Sequence, residues 1–207
     1  MKYYHQQSSA FPPAYLSQLQ GEIFASPYFT VNNLNRDFVG TKGFSIVFRR
    51  SHLARVTKQF PYFTLYLEKA LQDDCNAFYL NPLLLKSGSR VDPHIDYSLR
   101  PYCKTIQPPH WVSVLYVQVP PDMQGGELIL QARQHRVAEI RPQSNTLLFF
   151  QGDLTHSINP VHSAGVRLSL VCEQYCLEDK ELLQIPEFRL ESRATAGQTK
   201  KGKPAVF

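Results

Sequence analysis

The segment Arg90 to Arg100, RVDPHIDYSLR, places His94 and Asp96 two residues apart. On a strand or at its exit, that spacing sets an imidazole and a carboxylate on one face. The pair supplies two of the three protein ligands of a non-haem iron(II) centre, and the third is a second histidine. Three histidines stand beyond the strand-like run at 111–119: His135, His156 and His162. His135 lies between Gln134 and Arg136 in a polar hairpin, and His162 lies in the loop NPVHSAG. His156 follows TLLFF, the most apolar run of the chain, and its QGD turn. The end of a core strand holds a ligand rigidly, so the expected metal site, and the catalytic centre, is His94, Asp96 and His156. Such a triad leaves three positions of an octahedral iron(II) open.

Arg167 comes eleven residues after His156, and Ser169 follows two further on, hence on the same strand face. A guanidinium fork with a hydroxyl beside it suits a carboxylate. An arginine inside RLSLVC is costly to bury without an anionic partner.

In this order, His94-x-Asp96, His156 and Arg167-x-Ser169 resemble the iron(II) and 2-oxoglutarate-dependent dioxygenases, in the prolyl-hydroxylase-like branch. The turn Gly125-Gly126-Glu127-Leu128 and the apolar run Leu147 to Phe150 ahead of the distal histidine belong to the same likeness, which spans Leu83 to Tyr175. The resemblance implies Fe(II) on His94, Asp96 and His156, with 2-oxoglutarate chelating it. It also implies that the far carboxylate of the cosubstrate pairs with Arg167 and accepts a bond from Ser169. Tyr116 is the expected second contact to the cosubstrate, with Tyr79 as its competitor. The implied activity is hydroxylation of an unactivated carbon, with release of succinate and carbon dioxide. The substrate class is an amino acid, a peptide or protein side chain, or a small natural product. Many prolyl hydroxylases of this branch use lysine where this chain has Arg167, which weakens an inference to proline as substrate.

Positioning these groups requires a sheet. Residues 12–25 read as a short helix opened by two prolines, with Tyr15, Leu16, Leu19, Ile23 and Phe24 at helical spacing. Residues 56–73 read as a second helix, interrupted near Pro61. Gly43 to Arg50 reads as a strand, and the pattern turns extended again from Asn76. Trp111 to Val119, Glu127 to Gln131, Arg136 to Ile140, Thr146 to Phe150 and Val166 to Tyr175 read as strands separated by turns. Two helices followed by short strands suggest a mostly β chain with helical cover, a double-stranded β-helix of the jelly-roll, cupin-like kind. The expected layout is an N-terminal helical and irregular cover over 1–75 within the same domain, a catalytic core over 76–183 and a polar extension over 184–207, mobile from Ser192. The 207 residues suit one domain with its own core.

Neither GxGxxG nor GxxxxGK[ST] occurs, which argues against a nucleotide-binding α/β fold. The net charge of +5, from 22 Lys and Arg against 17 Asp and Glu, is diffuse apart from Lys200, Lys201 and Lys203. It makes nucleic acid an unexpected partner and suits an anionic small molecule. No apolar run approaches the roughly 20 residues of a membrane span. Four cysteines without CxxC spacing suggest free thiols in a reducing, cytoplasmic setting. Two other readings compete: a cupin-like metal binder without oxygenase activity, for which Arg167 and Ser169 do nothing, and a basic nucleic-acid-binding β protein.

Overall fold

The computed structural model describes residues 3–31 and 37–196. Among these residues sixteen strands form, in chain order: β1 (Tyr4–Ser8), β2 (Thr30–Val31), β3 (Phe38–Val39), β4 (Lys42–Gly43), β5 (Ser45–Arg49), β6 (Ala77–Leu85), β7 (Arg90–His94), β8 (Trp111–Gln118), β9 (Gln124–Gly125), β10 (Leu128–Ala132), β11 (His135–Ile140), β12 (Thr146–Gln151), β13 (Thr155–Ile158), β14 (Val161–His162), β15 (Arg167–Tyr175) and β16 (Phe188–Glu191). The helices are α1 (Pro13–Ala25), α2 (Leu53–Gln59), α3 (Thr64–Ala70), α4 (Asp179–Leu182) and α5 (Arg193–Ala196). Single 3₁₀ turns at Arg50–His52 and Pro61–Phe63 precede α2 and α3.

The strands pair antiparallel in three sheets. A nine-stranded sheet runs β1-β12-β8-β15-β6-β4-β2, with β5 also on β6 and β16 on β5. A five-stranded sheet runs β11-β10-β13-β7-β3, and β14 pairs with β9 alone. This corrects the expected double-stranded β-helix or jelly roll. None of the three sheets closes on itself, and the fold is a mixed one of helices and open sheets. Alternating strands reveal how many ribbons exist and which face is apolar, but not which edges meet.

Period-two alternation gives the large sheet two different faces. One face takes Phe78 and Leu80 of β6, Leu115 and Val117 of β8, Leu147 and Phe149 of β12, and Leu168 and Leu170 of β15. These pack on Tyr15, Leu16, Leu19 and Ile23 of α1 and on Tyr66, Leu67 and Ala70 of α3. Pro13 opens α1, where its missing N–H costs nothing. Phe24, expected in the helix stripe, is instead 40% exposed. Pro61 separates α2 from α3, as the interruption in the pattern suggested. The opposite face presents Leu83, Val112, Val114, Tyr116, Leu148 and Phe150 to Val91, Leu128, Leu130 and Ile158 of the five-stranded sheet. The functional groups lie between these two sheets.

Several strands have no counterpart in the sequence expectations, among them β13, which carries His156, and the edge strands β1 and β16. β1, polar and mostly exposed, adds to the edge of the large sheet along β12. β16 lies along β5 within the stretch read as a polar extension. The lysine cluster at 200–203 lies outside the described residues.

Candidate metal centre

His94 is the last residue of β7, and His156 lies in β13, directly opposite it in the antiparallel register. The pairing runs from Val91 opposite Ile158 to His94 opposite His156, so β7 carries one extra residue between the pairs. That bulge falls at Asp92 and Pro93, where proline has no N–H to offer the ladder. It re-aims His94 so that the two rings come together, with centroids 4.4 Å apart. Asp96 lies just past the end of β7, buried beside them. Its Oδ1 is 3.2 Å from His94 Nε2, and its Oδ2 is 3.4 Å from His156 Nε2. One ligand atom from each of the three residues lies within 4.8 Å of the others.

The far ring nitrogens are fastened to the backbone. His94 Nδ1 is 2.9 Å from the Asp92 carbonyl, and His156 Nδ1 is 3.2 Å from that of Leu154. A carbonyl accepts, so each Nδ1 donates its proton and each Nε2 is left with its lone pair facing the shared gap. His94 Nε2 is buried and finds no hydrogen-bond partner. Ionisation follows the same geometry. Burial raises the Asp96 pKa, but the His156 and His94 imidazoles more than offset it and hold the carboxyl below its ordinary value. Burial keeps His156 below its ordinary value, against the pull of Asp96. For His94, burial opposes protonation, but the Asp96 carboxylate raises the pKa overall. An ionised carboxylate and two imidazole nitrogens, one of them unpartnered, form the donor set of a divalent iron site. The residues therefore fit Fe(II), and His135 and His162 stand outside this group.

The triad opens into a cavity between the sheets, lined also by Phe38, Tyr79, Asn81, Tyr116, Arg167 and Glu173. Arg167, the first residue of β15, is 1% exposed. Its Nη1 donates to the Gly126 carbonyl at 2.7 Å and its Nε to Ser169 Oγ at 3.2 Å. Its guanidinium carbon sits 4.8 Å from the centroid of the Tyr116 ring. Among the described residues, no carboxylate lies within ion-pair distance of it, and burial lowers its pKa. The GGEL turn builds this seat. Gly125 has φ +70°, and a Cβ there would meet the Pro160 carbonyl oxygen at 2.0 Å. Only glycine turns the chain so that the next carbonyl reaches Arg167. Ser169 faces Tyr116 across β8 and β15. The Tyr116 hydroxyl is buried without a partner, whereas the Tyr79 hydroxyl bonds to Ser45 Oγ.

Glu173 was not singled out from the sequence. It shares a strand face with Arg167 and Ser169 by the same period of two, so the signal was present: a carboxylate inside an apolar strand. It is 3% exposed and accepts bonds from Ser98 N at 3.2 Å, Ser98 Oγ at 2.5 Å and the Tyr175 hydroxyl. Burial, with Asp96 nearby, pushes its pKa up to about 8. The bonds tie the turn that follows Asp96 to the strand that carries Arg167. Glu127, next to the Gly126 carbonyl that seats Arg167, accepts from the Asn159 side-chain amide at 3.0 Å and acts on Arg167 only at longer range.

The model of the 2OG-Fe(II) oxygenase superfamily matches residues 79–172, which contain the triad, Tyr116, Arg167 and Ser169. No curated protein matches the sequence. Among solved structures, a Pseudomonas putida prolyl-4-hydroxylase is 18% identical with a TM-score of 0.55, covering 85% of this chain and 94% of that one. A prolyl hydroxylase from Trichoplax adhaerens, solved with a hypoxia inducible factor peptide fragment, is 15% identical with a TM-score of 0.57, covering 87% and 86%. The viral collagen prolyl hydroxylase of Paramecium Bursaria Chlorella virus-1, solved with 2OG, is 17% identical with a TM-score of 0.54, covering 86% and 97%. At these identities the likeness is one of fold.

Proposed function

The chain belongs to the 2OG-Fe(II) oxygenase superfamily, and from that premise we propose that it hydroxylates an unactivated carbon of an amino acid, a peptide side chain or a small natural product. The superfamily's chemistry uses Fe(II) with 2-oxoglutarate, and His94, Asp96 and His156 are the residues that would hold the iron. When bound, the pair of cofactors supplies oxygen activation coupled to loss of carbon dioxide, leaving succinate. The protein's part is orientation and exclusion of side reactions.

The observation that carries the cosubstrate assignment is Arg167, a fully buried guanidinium with no carboxylate within ion-pair distance among the described residues, Glu127 acting on it only at longer range. A buried cation without an anionic partner is expensive. The remote carboxylate of 2-oxoglutarate would complete it in the same cavity as the triad. Ser169 accepts from Arg167 Nε and thereby aims the fork. The free Tyr116 hydroxyl supports Tyr116, rather than the already bonded Tyr79, as the second contact to that carboxylate. Glu173, through Ser98, holds the Asp96 turn against β15, so that the metal and cosubstrate ends of the cavity keep their distance.

Substrate approaches past Phe38, Tyr97 and Arg100, which line the outer space beside His94 and Asp96. Arg100 stacks on the Tyr97 ring at 3.7 Å, a flat polar platform suited to a small molecule or peptide. Among the described residues, no helix is long and apolar enough to cross a membrane. A cytoplasmic setting accords with the four free cysteines.

The test is a turnover screen with the iron-loaded chain that reads succinate across amino acids and peptides, paired with product mass. The expected result is a substrate whose mass rises by one oxygen for each succinate formed. Succinate that never exceeds the substrate-free rate across all these classes would contradict the hydroxylase reading.

A further inference from the structure

Away from the cavity, Cys75 and Cys176 meet at one end of the β6–β15 pair. Cys75 stands two residues before β6, and Cys176 directly follows β15. The ladder between these strands runs from Arg167 opposite Leu85 to Tyr175 opposite Ala77. Asn76 fastens the junction beyond it. Its N–H donates to the Tyr175 carbonyl, and its side-chain amide donates to the Leu177 carbonyl and accepts from the Leu177 N–H. This clamp holds the two sulfurs 3.0 Å apart although 101 residues separate them in the chain. Cys75 is buried, and Cys176 is exposed. Cys103 and Cys172 are buried elsewhere.

Asp74 lies beside the pair, with Oδ1 3.8 Å from Cys75 Sγ, so the group could be read as a metal site. The spacing speaks against that. Two thiolates on one tetrahedral zinc, with bonds of about 2.3 Å, stand roughly 3.8 Å apart, and a structural site takes four protein ligands. A sulfur pair at 3.0 Å already lies inside that separation, on the way to the disulfide length of about 2.05 Å.

We propose that Cys75 and Cys176 are a redox modification site, a reversible dithiol–disulfide couple that covalently closes the end of the β6–β15 pair. The oxidant is a low-molecular-weight disulfide of the oxidised-glutathione class. The exposed Cys176 loses its proton and its sulfur attacks the oxidant, releasing one glutathione thiol and leaving a mixed disulfide. Cys75 then loses its proton and attacks the Cys176 sulfur. The second glutathione leaves as a thiol, so two protein thiols are oxidised and one external disulfide is reduced. Burial raises the pKa of both cysteines, which keeps thiolate scarce and makes closure slow. The couple therefore acts as a lock that follows the thiol balance of its surroundings and not as a fast peroxide trap. What it locks matters: β6 carries Tyr79 and Asn81 into the cavity, and β15 carries Arg167 and Glu173. The couple does not depend on the oxygenase reading, and its test needs no turnover.

The full chain is equilibrated with oxidised glutathione or with dithiothreitol, denatured, alkylated and weighed intact, and its peptides are mapped. Thermal unfolding is followed on the same samples, together with Cys75→Ser and with Cys176→Ser, whose exposed position spares the core. The expected oxidised chain is lighter by two hydrogens, protects two thiols from alkylation and yields one linked peptide pair containing Cys75 and Cys176. Closing a loop of this length raises the unfolding midpoint by roughly 10 °C, reversed by dithiothreitol. Cys176→Ser shows neither the link nor the rise. Four alkylated cysteines after oxidation would overturn the proposal, as would a lasting glutathione adduct on Cys176 with Cys75 free. Stoichiometric zinc in the wild type that is lost in both variants would overturn it in favour of a metal site.

Discussion

On β15, Leu168, Leu170 and Cys172 point to the helices, while Arg167, Ser169 and Glu173 point to the five-stranded sheet. The same strands thus build two unlike interiors, one apolar and one charged. Polar groups do enter the helix face, but the protein satisfies them. Gln174 accepts from the Gln72 N–H and donates to the Ala70 carbonyl and Ser113 Oγ, and Ser113 also meets the Tyr66 hydroxyl. On the other side, His94 Nε2 and the Tyr116 hydroxyl are left without partners, and so is Thr146 Oγ1, which lies opposite Tyr116 in the register. Every unpartnered buried side-chain atom found among the described residues belongs to that side. Stability is concentrated on the helix face, and unmet bonding capacity on the face that receives ligands.

The comparison breaks if a change on one face produces the other face's effect. Leu170→Ala removes a fully buried side chain from the helix face and should cost about 2–5 kcal/mol of stability. Denaturant unfolding measures it, and the folded fraction should keep its affinity for 2-oxoglutarate. Arg167→Met should do the reverse. Losing a charge-assisted contact raises the 2-oxoglutarate KM on the order of a hundredfold. Replacing a buried, unpaired cation by an apolar chain leaves stability level or higher. A destabilised Arg167→Met with an unchanged KM would reassign that arginine to the core.

Glu173→Gln sharpens the picture through pH. In the metal-free chain Glu173 keeps its proton up to about pH 8, whereas the unfolded chain releases it near the ordinary 4.5. The native state holds the extra proton between those values, so this contribution to stability is full below pH 4.5 and is lost as the pH rises through 8. The wild type should lose up to about 5 kcal/mol relative to Glu173→Gln across that window. Thermal midpoints of the two proteins that run parallel from pH 5 to 8 would contradict the raised pKa. Tyr116→Phe should be the mildest change. It deletes one hydrogen bond of about 1 kcal/mol, a severalfold rise in the 2-oxoglutarate KM, without loss of stability in the ligand-free protein.

Much of the ligand-binding face was legible because its rule is simple. Arg167-x-Ser169 follows the period of a strand, Asp96 comes just past the end of β7, and His156, expected at the end of the Thr146–Phe150 strand, comes instead from β13 of the other sheet, where pairing with β7 sets it opposite His94. The bulge at Asp92–Pro93, which brings the rings together, is a product of pairing and leaves only the proline as a trace. Glu173 obeys the same period as Arg167, but its role is legible only once the fold of the loop after β7 brings Ser98 to it. Sheet assembly was the least legible level. Tyr4–Ser8 has little apolar content to mark it as a strand, yet an open edge of β12 accepts it. Nothing in the alternation of the later strands tells a closed double-stranded helix from the three open sheets that form.

The most direct measurement is anaerobic absorption of the chain titrated with Fe(II) and then 2-oxoglutarate, for the wild type, His156→Ala and Arg167→Met. A visible charge-transfer band should appear only when both are present, vanish in His156→Ala, and need far more 2-oxoglutarate in Arg167→Met. A band that forms equally well without the His156 imidazole would show that iron and keto acid meet somewhere other than the gap between His94, Asp96 and His156.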